Sequence, residues 1–238
     1  MLSDNELSNI FEPLTFYQME RRSDDVGFNA VFALLQILYM VRQSSSTGRN
    51  LKVTLLGHSF GCRVVCRALD RLYTEIMKAS TNVSYRQFVL NTRINLVLLQ
   101  AAFDTSDLEA GERYGNLQHL PRLRILITKS DLDLALKNLF PMAEHINILS
   151  HHPGTRQALG WAGPTATTAG DFGAQSLTLL PGFVPTTEAL LPVGSRMLVS
   201  DITPVHQASS FPSGPLKGHH SDIFLPEIYK LIANFSFQ

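Results

Sequence analysis

The segment Lys52 to Gly61, KVTLLGHSFG, constrains this chain more than any other. A short apolar run of strand length leads into Gly57-His58-Ser59-Phe60-Gly61, and Val65, Leu69, Leu72 and Ile76 then recur on one helical face. The chain must therefore reverse sharply from strand to helix, with Ser59 at the apex. Glycines two before and two after the serine, Gly57 and Gly61, are expected to remove Cβ atoms that would clash in such a turn. A serine hydroxyl is a weak nucleophile. It needs a base to take its proton and donors to hold the oxyanion that its attack creates. In this turn the Phe60 N–H falls at a helix N-terminus, where it can donate to that oxyanion. An ordinary serine in a tight turn is the competing reading, and the strand and helix on either side favour the chemical one.

The remaining elements fit around this turn. Positions 26–42 carry apolar residues at helical spacing, and Ser44 to Gly48 ends that run. Ile94 to Ala101 and Leu123 to Thr128 are nearly continuous apolar runs, the pattern of strands covered on both faces of a parallel sheet. Arg196 to Ser200 is a further strand, Ser176 to Leu180 a candidate one, and Leu132 to Met142 a short helix. Asp222 to Phe235 closes the chain as an amphipathic helix in which Ser221 and Asp222 can cap the start. Positions 151–217 read as a largely irregular Gly/Pro/Thr-rich insertion or lid-like region. Alternating strands and helices predict an α/β fold with a mostly parallel sheet and flanking helices. At 238 residues one domain is expected.

Composition removes several function classes. The 20 basic and 20 acidic side chains balance, and no basic patch or arm points to nucleic acid. The most apolar run, Val31 to Val41, is too short to span a bilayer, and the polar start Met1 to Asn9 has no signal-peptide pattern. The two cysteines, Cys62 and Cys66, stand four apart on one helix face, a spacing a helix does not readily bridge. Reduced, partly buried thiols and a cytoplasmic location are the expectation. The glycosylation-type triplets at Asn82 and Asn234 are then chance matches.

The partners of Ser59 should follow it in the order acid, then histidine. Asp104, Asp131 and Asp133 each follow a strand, and a helix cap is the competing role for one of them. Among eight histidines, His58 lies inside the turn and is expected to face away from Ser59 in a structural role. His119, His145, His151 and His152 have no motif around them and read as surface residues. His206, His219 and His220 follow the last strand, and His219 and His220 sit just before the final helix, where a base would be delivered. A histidine pair also raises metal binding, but no other ligand motif stands at useful spacing, so neither metal nor cofactor is expected.

Four segments carry a likeness beyond the turn: Phe16 to Gly27 (FYQMERRSDDVG), Leu56 to Val65 (LGHSFGCRVV), Thr128 to Leu136 (TKSDLDLAL) and Gly218 to Ile223 (GHHSDI). In these the chain resembles the α/β-hydrolase superfamily, and within it a group of serine-hydrolase-like proteins. The likeness runs from about residue 14 to the end and is weakest over 151–217. The resemblance implies that a T-x-S-x-x-D-x-A-L segment supplies the acid, Asp133, and a G-x-H-S-D segment the base, His220. Asp131 and His219 are the alternates that the residues alone leave open.

One departure from that pattern stands out. Only about 50 residues precede the first strand, they read as helical, and no His-Gly type loop offers a second oxyanion donor. The chain thus reads as α/β-hydrolase-like and N-terminally shortened, with its serine-bearing strand at a sheet edge. Two functions follow as expectations. One is a serine hydrolase acting on a small acyl-type substrate, an ester, thioester or amide, with no nucleic acid and no membrane span. The other is a non-catalytic or truncated relative whose exposed edge is covered by a second copy or a partner. Trp161, Phe172, Leu179, Leu180 and Phe183 can line an acyl pocket or belong to the core.

Overall fold

A computed structural model describes residues 18–44, 51–142, 156–183, 190–209 and 218–237. Among the described residues five strands form one all-parallel sheet, and helices pack on both of its faces. The strands are β1 (Lys52–His58), β2 (Arg93–Leu99), β3 (Leu123–Lys129), β4 (Gln175–Thr178) and β5 (Met197–Asp201). Their spatial order is β1-β2-β3-β5-β4, so β1 ends the sheet on one side and β4 on the other.

The first helix, α1, begins earlier than the periodicity predicts. It runs over 18–26, passes through a π-helical turn at Gly27–Val31 and continues through Phe32–Gln43. Side chains at 20 and 24 explain the extension. Glu20 and Asp24, one turn apart, both pair with the buried guanidinium of Arg63 at 2.9 Å. Gly27 then lets the helix lie against the backbone of Val64, whose carbonyl oxygen a Cβ would strike.

Helix α2 (Gly61–Met77) follows the serine turn, and α3 (Val83–Asn91) leads into β2. The sequence reading has no counterpart to α3. Its start is fixed by Asn82, whose side-chain oxygen accepts from the N–H groups of Ser84 and Tyr85 at 2.8 and 3.3 Å. Positions 151–217 hold both strands expected there, β4 and β5, together with the short helices α4 (Leu159–Ala162), α5 (Ala166–Asp171) and α6 (Thr203–Ala208), which the sequence reading lacks. The last helix, α7, starts at Pro226 and runs to Phe237. Its start lies four residues beyond Asp222 because proline suits the first helical position, while Asp222 is engaged elsewhere.

The period-2 alternation of β2 divides the core. Leu96 and Leu98 join Leu55, Cys66, Leu69 and Ile76 under α2. Val97 and Leu99 join Leu198, Ile228, Leu231 and Phe235 under α7. β2 and β3 are covered on both faces, which is why they read as unbroken apolar runs. β1 is covered on one: Leu55 is buried, whereas Leu56 is 47% exposed. Among the described residues no helix is long and apolar enough to cross a membrane.

Candidate active site

In an open parallel sheet the loops at the carboxyl ends of the strands converge on one crevice. Here Ser59 follows β1, Gln100 follows β2 and Asp133 lies just beyond β3. Ser59 holds φ at +54°, a left-handed conformation rare outside glycine. The turn is fixed from both sides. The Ser59 N–H donates to the Leu99 carbonyl at 3.0 Å, and the Ser59 carbonyl accepts from the N–H of Cys62 at 3.1 Å and of Ala102 at 3.3 Å.

The two glycines differ in role. A Cβ on Gly57 would lie 2.5 Å from the Gly61 carbonyl oxygen and 2.6 Å from the Cys62 nitrogen. A Cβ on Gly61 would meet nothing within 4 Å, because that position opens outward from the first turn of α2. The steric need expected of both glycines therefore applies to Gly57 alone.

His220 stands before the serine. Its Nε2 lies 2.8 Å from Ser59 Oγ, and its Nδ1 lies 2.7 Å from Asp133 Oδ2. The carboxylate can only accept, so Nδ1 carries the proton and Nε2 is left to accept from the serine hydroxyl. Asp133 is fully buried, and its other oxygen accepts from the Leu136 N–H at 3.0 Å. The turn that delivers His220 begins at Gly218, with φ +53° and no room for a Cβ against the Leu132 carbonyl oxygen. The His219 N–H donates to that same carbonyl at 3.1 Å, which ties the histidine turn to the loop bearing Asp133.

Two further side chains enter this network. The His58 Nε2–H donates to the His220 carbonyl at 2.8 Å, and the two rings lie 5.0 Å apart. His58 thus braces the histidine turn, and burial holds its imidazole below the ordinary value. Gln100, also fully buried, donates from Nε2 to Asp133 Oδ2 at 2.8 Å and to the His219 carbonyl at 3.1 Å. Sequence reasoning passed over Gln100. Its one signal was a polar residue closing the otherwise apolar run INLVLLQ.

The other candidates take different places. The Asp131 side chain is 68% exposed and faces Lys129 at 3.9 Å. Asp104 caps its own loop by accepting from the Ser106 N–H at 2.9 Å. His219 donates from Nδ1 to Asp222 at 2.6 Å and stacks on His206. His206 is fully buried. Its Nε2–H donates to the Asp222 carbonyl at 3.2 Å, and its Nδ1 accepts from the Ser130 hydroxyl at 2.9 Å. Burial keeps its imidazole below the ordinary value. His119 is exposed and stacks on Tyr73, while His145, His151 and His152 lie outside the described residues. Cys62 and Cys66 are free and wholly buried, more deeply than expected, and burial pushes both thiols far up.

Beside the serine lies a small apolar cluster of Ala102, Leu136, Phe140 and Ala158, with Phe60 and Trp161 half-buried against it. Three of its members adjoin the network directly. Phe60 follows Ser59, the Ala102 N–H bonds the Ser59 carbonyl and the Leu136 N–H bonds Asp133. Of the other residues considered for an acyl pocket, Phe172 and Leu179 are buried in the two main cores. Leu180 and Phe183 are about half exposed, at 50% and 51%. Among the described residues no group of three or more His, Cys, Asp or Glu side chains could hold a metal ion.

Comparison with family models, with curated proteins and with solved structures finds no match to this chain.

Proposed function

We propose that this chain is a serine hydrolase of the α/β-hydrolase type, transferring the acyl group of an ester, thioester or amide to water. One observation carries the reading: Ser59, His220 and Asp133 are joined in an unbroken hydrogen-bonded series with distances of 2.8 and 2.7 Å. Hydroxyl, imidazole and buried carboxylate in that order are the groups acyl transfer requires.

Each residue then has a task. Ser59 Oγ attacks the substrate carbonyl carbon while its proton passes to His220 Nε2. Asp133 holds the Nδ1–H tautomer and stabilises the imidazolium that forms. The Phe60 N–H, at the start of α2, donates to the oxyanion. His220 returns the proton to the leaving group, and water repeats the sequence on the acyl-enzyme. The half-buried faces of Phe60 and Trp161 favour an apolar acyl group next to the serine. Turnover of p-nitrophenyl esters of graded chain length tests this. Hydrolysis should be lost in Ser59→Ala and His220→Ala. Equal hydrolysis by folded Ser59→Ala would remove the proposal.

The exposed edge of β1 favours a second reading, a hydrolase-like binding protein. A strand that ends the sheet among the described residues, with Leu56 47% exposed, offers its outer backbone edge to another chain. That reading expects a dimer or complex without turnover, and a folded, active monomer by size-exclusion chromatography contradicts it.

A further inference from the structure

Ser59 and Gln100 are the two residues other than glycine with positive φ among the described residues, at +54° and +44°. They are also neighbours. His58 and Leu99 form the last register pair of β1 and β2, and Ser59 and Gln100 each come next in their own strand. Strain in two adjacent strand ends points to a shared purpose, since such conformations persist only where the surroundings enforce them.

The surroundings of Gln100 do enforce it. Its N–H donates to Thr128 Oγ1 at 3.1 Å. Gly160 packs so closely that a Cβ there would strike the Gln100 backbone, and the Gly160 N–H bonds the Ala101 carbonyl at 3.0 Å. The left-handed backbone turns the side chain into the buried network instead of onto a sheet face. There its orientation has one solution. Both groups facing the amide, Asp133 Oδ2 and the His219 carbonyl, are acceptors, so the NH2 must point at them. Among the described residues the amide oxygen is then left buried without a hydrogen-bond partner. A side chain that leaves its own acceptor unmet to place its donors is arranged for what those donors hold.

We propose that Gln100 is a positioning residue that sets His220 against Asp133, an inference that rests on the hydrolase reading of this site. Its amide touches no reacting atom. One of its hydrogens meets the carboxylate oxygen that binds His220 Nδ1, and the other meets the carbonyl immediately before His220. Gln100 therefore fixes the distance between acid and base from a single point. His58 holds the next carbonyl along, that of His220 itself. Consecutive carbonyls of the histidine turn are thus gripped from the ends of adjacent strands.

Gln100→Met removes the donors at similar length, and Gln100→Gly removes them while suiting the left-handed backbone, so the second variant folds where the first does not. The full chain is labelled with 15N-histidine, and long-range 1H–15N spectra report which His220 nitrogen carries the proton. Fluorophosphonate labelling rates are measured on the same samples, with melting curves to establish folding. The unaltered chain should show a single Nδ1–H tautomer. Each folded variant should show a mixture of tautomers and label roughly 10-fold more slowly, the scale of effect that follows from slight misplacement of a catalytic group. A folded variant with the unaltered tautomer and labelling rate overturns the inference. Should the unaltered chain itself resist labelling, the hydrolase reading falls, and the tautomer comparison still decides the role of Gln100.

Discussion

His220 Nε2 lies 2.8 Å from Ser59 Oγ although 161 residues separate the two in sequence. The sheet brings them together: Ser59 leaves the end of β1, and Gly218 turns the chain back against the loop after β3. Nothing local to either residue creates that contact. Its consequences are therefore testable by changes at the elements that deliver the two side chains.

The two aspartates after β3 should separate cleanly. Asp133 is buried and bonded to His220, whereas Asp131 is 68% exposed at its side chain. Asp133→Asn favours the wrong His220 tautomer and should lower kcat by on the order of 10²- to 10⁴-fold. Asp131→Asn should leave kcat within about twofold, as expected of an exposed charge. Steady-state ester hydrolysis by the two variants distinguishes them.

The glycines of the turn should also part company. Gly57→Ala forces a Cβ to 2.5 Å from the Gly61 carbonyl and should cost about 1–3 kcal/mol. Gly61→Ala enters open space in the first turn of α2, where alanine is the better helix former by about 1 kcal/mol. Its melting temperature should equal or exceed that of the unaltered chain. Urea unfolding of both variants reads the difference.

Arg63 ties α1 to α2 through Glu20 and Asp24, each at 2.9 Å, and its side chain is 2% exposed. Arg63→Met leaves Glu20 and Asp24 with the partly exposed Arg113, at 3.0 and 3.7 Å, in place of the buried Arg63 counter-charge. Removing one member of a buried pair costs about 3–5 kcal/mol. The variant should lose stability on that scale, with amide exchange rising first in 18–26.

Stability should fall on mild acidification. Burial holds His58 and His206 below the ordinary histidine value, so the unfolded chain binds protons there that the folded chain refuses. The associated stability is present above pH about 6.5, the unfolded value, and is lost as pH falls from there through the lower folded values. His206→Asn removes one of the two groups and should flatten the melting temperature between pH 7 and pH 5 in calorimetry, relative to the unaltered chain.

Much of this was legible in the sequence, for physical reasons that can be named. β2 and β3 announce themselves because burial on both faces makes them continuous apolar runs. The turn at Ser59 is legible because strand, glycine and helix signals coincide within one short segment. Helix α3 was not, because its residues VSYRQFVLN carry only one fully buried position, Val89, and its start depends on the Asn82 cap. The start of α7 was misplaced because Asp222 looks like a cap and instead bonds His219. Asp131 and Asp133 stand two apart on one loop, so spacing and composition leave them open, and tertiary packing places only Asp133 against His220. Gln100 acts across 33 residues to Asp133 and 119 to His219, a range that local patterns do not reach.

The most direct measurement is covalent. A fluorophosphonate probe reacts with a serine hydroxyl only where a base activates it, and peptide mapping by mass spectrometry locates the adduct. The serine-hydrolase reading predicts one adduct, on Ser59, formed by the folded chain and absent from Ser59→Ala and His220→Ala. A well-folded chain that gives no adduct, or one that maps elsewhere with Ser59 unmodified, contradicts it.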